Sequence, residues 1–322
     1  TDYLIITDST FAAQAETLSV HKMKMGFNNP VVVDVKDIYR LFSGGDLDPT
    51  AIRNFIQYVK NRWVNGFDLD YVLLMGNGHY DYKKKFKDIP IHIPVYYNDW
   101  DQILDDYFTV TEPYIIYPVP SCAIGRINCH SAREATVVVN KIREYEDPEL
   151  ADFSAWRNRA LFVADDDKQG NLDDHITDHH ISSDSASKAL NARWRSLDLR
   201  KVFLYEYEWD NSRRKPGATR AIINQINNGV GIVNYFGHGS YYVWSDEEAL
   251  NISDLGKLYN KKQYPVISSF SCSVGKFDQP GAECLAGALV KLENAGAIVS
   301  IASSRESDAP GNTQLAFNFY DQ

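Results

Sequence analysis

Cysteine is scarce in this chain. Its 322 residues hold four: Cys122, Cys129, Cys272 and Cys284. No two of them form a Cys-x-x-Cys pair, which removes the usual ligand set of a structural zinc site. Cys122 and Cys129 flank the short run Ala123–Ile127. As a strand, that run holds them apart, so free thiols are expected rather than a disulfide. Long apolar runs are missing too. None approaches the ~20 residues of a membrane helix, and no membrane insertion is expected. There is no Gly-Lys-Ser/Thr phosphate loop. Gly76-Asn77-Gly78 follows a strand pattern, but Asp81 stands where the dinucleotide fingerprint needs its third glycine. Positive charge is in deficit, 33 Lys and Arg against 43 Asp and Glu, for a net charge of -10. That balance argues against a nucleic-acid surface and fits a soluble acidic enzyme or an exported protein. Thr1 leads straight into the apolar segment Tyr3–Thr7 with no signal peptide. So abrupt a start reads as an excised domain and leaves export open.

The chain is 44% hydrophobic and 24% charged, an ordinary globular balance, and long enough for one large or two modest domains. Strand and helix patterns alternate throughout. Strands are expected at Tyr3–Thr7, Val31–Val35, Tyr71–Gly76 and Ala123–Ile127. Helices are expected at Ala12–Met25, from Asp48-Pro49 to Trp63, and from the Ser131 cap to Tyr145. Glu146–Ser154 carries Asp-Pro and no periodicity, which sets a boundary between subdomains 1–150 and 151–322. The second half predicts strands at Arg159–Ala164, Lys201–Tyr207, Gly231–Phe236, Tyr264–Ser271 and Ala297–Ser303. Its helices fall at Asp174–Leu190, Thr219–Asn228, near Ile252–Tyr259 and at Cys284–Leu292, with Cys284 a small core residue. This order predicts an α/β fold, a mainly parallel sheet covered by helices.

Two strand ends carry chemistry. Asn234-Tyr235-Phe236-Gly237-His238-Gly239-Ser240 closes one apolar run, and Ser269-Phe270-Ser271-Cys272-Ser273 closes another. Neighbouring parallel strands deliver such residues to one sheet edge, where an imidazole meets a thiol. The thiolate attacks a carbonyl; the imidazole takes its proton and returns it to the leaving amine. The backbone N–H groups of Gly239 and Cys272 are natural oxyanion donors. The bland alternative is a buried cysteine and a histidine in a tight turn. Asp165-Asp166-Asp167 ends a third strand. One of them orients His238, or the triplet is a solvated loop or a weak calcium site; the residues leave this open. His175 and His179 have the i, i+4 spacing of a metal-binding helix face, but Ile176 breaks the His-Glu-x-x-His order, so with His180 they read as a solvated polar face. Tyr241, Tyr242 and Trp244 follow His238 and are expected to wall a peptide cleft.

The runs Asn-Tyr-Phe-Gly-His-Gly-Ser and Ser-Cys-Ser-Val-Gly-Lys-Phe-Asp resemble the gingipain-like cysteine peptidases, over nearly the whole chain. Tyr71–Gly76 and Ala123-Ile124-Gly125-Arg126-Ile127 resemble that family's first subdomain. Cys272–Asp278, Gly296-Ala297-Ile298 and Ser303-Ser304-Arg305 are most similar to its sortase branch, which serves type IX secretion. The resemblance implies a caspase-like three-layer α/β sandwich of two subdomains. It implies Cys272 as nucleophile, His238 as base, Gly239 as oxyanion donor and a carboxylate near Asp166 as the histidine's partner. It further implies a protein or peptide substrate, type IX secretion components as partners, no required cofactor with calcium admitted, and a secreted or cell-surface, outer-membrane-associated location. The loop Lys168–Asp174 departs from the secreted members, where an acidic residue reads a substrate arginine; Asp173 stands nearby. The flanking β domains of a sortase are also lacking. A freestanding secreted protease and a catalytically silent scaffold are the alternatives.

Overall fold

The structure, a computed structural model, describes residues 1–62, 69–86, 88–110, 119–166, 168–169, 172–173 and 179–321. The chain divides into two compact units, Thr1–Asp147 with Asp278–Ala282, and Pro148–Phe277 with Glu283–Gln322.

The first unit runs β1 (Tyr3–Thr7), α1 (Ala12–Lys24), β2 (Val31–Asp34), α2 (Val35–Phe42), α3 (Pro49–Arg62), β3 (Tyr71–Met75), β4 (Ala123–Ile127) and α4 (Ala132–Glu146). Its four strands form a parallel sheet in the order β2-β1-β3-β4. Leu4 and Ile6 alternate onto one face with Val72 and Leu74, and the apolar stripes of α2 and α3 (Ile38, Ile52, Ile56) close over them. Ser131 caps α4 by accepting from the Glu134 N–H, as expected. Helix α2 was not expected: the β-branched run Val31–Val35 reads as unbroken strand. The chain turns instead at Asp34, whose side chain accepts from the Lys36 N–H, and Val35 is the first helical residue. Arg126 ties the sheet edge to the irregular segment beyond β3. It forks onto Asp105 at 2.7 Å twice and donates to the carbonyls of Gly76, Ile93 and Pro94.

The second unit runs β5 (Arg159–Ala164), β6 (Lys168–Gln169), β7 (Leu172–Asp173), α5 (His179–Arg193), β8 (Asp198–Phe203), α6 (Pro216–Asn227), β9 (Ile232–Phe236), β10 (Gly239–Ser240), β11 (Val243–Trp244), β12 (Leu250–Asn251), β13 (Val266–Phe270), α7 (Leu285–Lys291), β14 (Val299–Ala302) and α8 (Ala309–Asp321). A parallel five-stranded sheet has the order β14-β13-β9-β5-β8. Both faces are covered, as strand alternation shows. Leu161 and Val163 of β5 meet α6 and α7 residues such as Ile222 and Leu289, whereas Ala160 and Phe162 meet Ala186 of α5 and Tyr320 of α8.

Three expectations need correction. The parallel strands make two separate sheets, one per unit, not one. The strand expected at Lys201–Tyr207 lies at Asp198–Phe203, and Leu204–Glu206 is a 3-10 turn. As an edge strand it exposes Arg200 and Lys201, so its polarity hides it in the sequence. Ile252–Lys257, expected as a helix, is a 3-10 segment held by a capping box between Asn251 and Asp254. Of the helix expected from Asp174, residues 174–178 and His175 with them lie outside the described residues, as does Trp63. No helix among the described residues is long and apolar enough to cross a membrane.

Candidate active site

Strands β9 and β13 run side by side in parallel with Phe236 opposite Phe270. His238 and Cys272 each follow by two residues the ends of these paired strands, at the carboxyl edge of the sheet. Both strands are buried there and their phenylalanines stack at 5.2 Å, so the edge is rigid.

The His238 backbone is fixed at both ends. Its N–H donates to Asp165 Oδ2 at 3.0 Å, and its carbonyl accepts from the Tyr235 hydroxyl at 2.6 Å and the Ser245 N–H at 2.9 Å. Its Nε2 is buried and has no hydrogen-bond partner among the described residues. The His179 ring packs edge-on against it, centroids 5.3 Å apart. Sequence reasoning placed His179 on a solvated face. In the structure it is buried, because α5 turns that face onto the sheet edge.

Cys272 is half-buried. Its Sγ donates to the Ser307 carbonyl at 3.3 Å and accepts from the Ser307 N–H at 3.4 Å. No hydrogen bond joins the sulfur to the imidazole in this state. Such contacts are often loose without substrate and tighten when it binds. Gly239 packs directly on the cysteine: a Cβ there would lie 2.9 Å from the Cys272 carbonyl oxygen and 2.9 Å from Ser271 Oγ. Only glycine lets the two backbones come so close. Ser245 pairs with His238 through the ladder, so Gly239 and Trp244 form a non-hydrogen-bonded pair and the ladder does not use the Gly239 N–H. Among the described residues the Cys272 N–H also has no acceptor. Two unspent donors therefore stand beside the thiol.

Asp166 is not where the sequence put it. Its Oδ2 forms a fully buried ion pair with Lys215 Nζ, and the imidazole of His238 makes no hydrogen bond to it. Asp165 is the carboxylate that reaches His238, through the backbone. Lys215 and Glu247 complete this cluster, and sequence reasoning missed both, since nothing in their local pattern marks burial. The oxygens of Asp165, Asp166 and Glu247 lie within 4.8 Å of one another. That spacing would suit a metal ion, but the Lys215 ammonium already supplies a cation to Asp166, so the set does not suit calcium. Asp167 lies outside the described residues, as does the Asp173 side chain.

The aromatic wall also needs revision. Trp244 is fully buried, stacks on Tyr235 at 4.5 Å and donates its Nε1–H to Ser269 Oγ. It supports the His238 loop from below and lines no cleft. Tyr242 is exposed, and Tyr241 is partly buried against the core.

The sequence profile of Peptidase family C25 matches residues 1–322, the entire chain. The chain belongs to peptidase family C25. Gingipain R2 of Porphyromonas gingivalis is 26% identical over 256 residues, 77% of this chain and 30% of that protein. The C25 chain described here thus spans about 30% of that relative's length. The crystal structure of the Arg-specific cysteine proteinase gingipain R superposes with a TM-score of 0.76 at 20% identity, covering 99% of this chain and 66% of that one. That likeness is one of fold, the caspase-like α/β architecture expected from the sequence. Dimeric latent PorU of P. gingivalis matches with a TM-score of 0.41 over 54% of this chain and 20% of its own, too slight to argue from.

The thiols differ in a way that can be measured. Cys122, Cys129 and Cys284 are buried and lie outside any disulfide, as expected. Burial pushes the Cys284 thiol up to about 11 and raises that of Cys122. Iodoacetamide near neutral pH should therefore alkylate Cys272 at least ~10-fold faster than the other three. Peptide mass mapping of the folded protein reads the ratio, and equal labelling of Cys272 and Cys284 would contradict an activated thiol.

Proposed function

We propose that the protein is a cysteine endopeptidase with Cys272 as nucleophile and His238 as general base and acid. The observation that supports this reading is the pairing of β9 with β13, whose ends lead into His238 and Cys272, with the Gly239 backbone against the cysteine. His238 takes the thiol proton as Sγ attacks the scissile carbonyl. The developing oxyanion lies between the Gly239 and Cys272 N–H groups. Collapse expels the amine with the proton from His238 and leaves an acyl-enzyme thioester. Among the described residues no carboxylate is hydrogen-bonded to the imidazole, and His238 is held through its backbone. Asp166 serves by neutralising Lys215 in the supporting cluster.

The finer reading is a sortase that removes C-terminal secretion signals from exported proteins and passes the acyl group to an amine. It is supported by the sequence around Cys272 and Ser303-Ser304-Arg305, which resembles that branch of the family. With it go a protein or peptide substrate, type IX secretion components as partners and an extracytoplasmic setting, at the cell surface or secreted. The partition of the thioester tests it. With a peptide carrying a secretion signal, products should divide between free acid and amide, the amide fraction rising with added amine. Mass spectrometry of the products reads the ratio. Efficient turnover to acid alone at every amine concentration would leave a freestanding protease.

A further inference from the structure

Asp165 and Glu247 take no part in the bond-making steps above, yet both are buried and closely packed. The Asp165 N–H donates to the Phe236 carbonyl at 2.9 Å, which fixes it beside the end of β9. Its Oδ2 accepts from the His238 N–H and its Oδ1 from the Asp166 N–H at 2.9 Å. The loop packs tightly on it. A Cβ at Gly237 would lie 2.5 Å from Asp165 Cβ and 2.4 Å from the Tyr235 hydroxyl oxygen. Glu247 sits two residues beyond Ser245, whose N–H holds the His238 carbonyl, and is 1% exposed. Its Oε1 receives no hydrogen bond from any described residue. Lys215 is committed to Asp166 and to the Leu204 carbonyl. Asp165 and Glu247 are thus two adjacent buried carboxyls with no cation of their own among the described residues. Such a pair cannot ionise twice at ordinary cost and keeps one proton between them.

We propose that Asp165 is a positioning residue for His238, and that a proton shared with Glu247 keeps the His238 loop closed on it. The proposal rests on the reading of His238 as the base. With one proton present, Asp165 accepts both N–H groups while Glu247 meets it without repulsion. With that proton gone, two negative charges push the Ser245–Glu247 turn and the His238 loop apart. Burial, chiefly, raises Asp165 to about 7 and Glu247 to about 8, the neighbouring charge adding to the second. Among the described residues the groups facing the pair are Asp166 beside it, Lys215 ahead of α6, Tyr235 on β9, His238 with His179 of α5 against its ring, and Asp246 next to Glu247. Burial keeps the Tyr235 phenol protonated throughout this range.

The test is a pH series on E247Q, D165N and D165A beside C272A and H238A. Wild-type kcat should fall roughly threefold or more between about pH 7 and 9, with KM little changed. In E247Q, which bridges without a proton, that decline should vanish. D165A should lose about 10²-fold in kcat, and D165N, whose amide oxygen still accepts from His238, should recover most of it. Difference infrared spectroscopy gives a readout without turnover: a protonated-carboxyl band present at neutral pH, lost on alkalinisation, and missing in E247Q and D165N. Should E247Q not fold, the wild-type band still decides. Its absence at neutral pH, or a profile unchanged in both conservative variants, overturns the proposal. Turnover surviving in C272A and H238A would instead sink the reading of the active site, leaving the band to judge the pair by itself.

Discussion

Replacing Cys272 with Ala is expected to abolish peptide turnover, a loss of at least ~10³-fold in kcat, and to leave the fold standing. The sulfur is half-buried, and its two hydrogen bonds go to the backbone of one residue, Ser307. Removing it therefore costs about 1 kcal/mol or less of stability. His238→Ala should cost nearly as much activity, because it removes the group that takes the thiol proton and returns it to the leaving amine. The double variant should be scarcely worse than either single one, since residues acting as a unit do not add. Asp166→Asn should behave differently. Its partner is Lys215, not the imidazole, so the expected loss is in melting temperature with a modest fall in kcat. Steady-state kinetics and calorimetry on the four variants separate the cases. A Cys272→Ala protein with appreciable turnover would remove the thiol from the mechanism and favour a scaffold that only keeps the fold.

The sequence made the sheet edge legible because its signals are local. Two apolar runs stop at His238 and Cys272, and parallel strands bring such ends together whatever lies between. The alternation of strands and helices along the chain and the Ser131 cap could be read for the same reason. What stayed hidden depends on burial that no local pattern reports. Lys215 stands between Arg213-Arg214 and Pro216, where a charge run reads as solvated, yet its ammonium is enclosed by Asp166, the Leu204 carbonyl and the Trp209 ring at 4.6 Å. Trp244 reads as cleft lining by proximity to His238, but it is fully buried against Tyr235. Asp165 and Asp166 are adjacent and chemically alike. Backbone geometry at the end of β5 decides which one faces His238, and the sequence carries no mark of it. Helix α8 begins at Ala309-Pro310-Gly311-Asn312, a poor helix start on propensity. Asp308 rescues it by accepting from the Gly311 N–H at 2.7 Å.

The buried cluster also carries the largest stability effect. Lys215→Met should destabilise the protein by about 3–5 kcal/mol, since it leaves the Asp166 carboxylate uncompensated beside two further carboxyls. Lys215→Met with Asp166→Leu should recover much of that loss, because a buried pair replaced by apolar groups of similar volume is often neutral. The pH dependence follows from the raised groups. Burial, with the neighbouring carboxyl charge, pushes Asp165 up to about 7 and Glu247 up to about 8 in the folded protein, above the ~4 of an unfolded carboxyl. Folding therefore binds protons in that window. The contribution is fully present below about pH 4 and declines as the pH rises through 7 and 8, by an amount on the order of a few kcal/mol. In Lys215→Met a third carboxyl must share the same space without a cation, so the decline should steepen. Urea denaturation of wild type and Lys215→Met at about pH 5 and 8 measures both effects. A loss that is the same at the two pH values would mean that the carboxyls do not sense the lysine. No loss at either would mean that the ammonium is not buried with them at all.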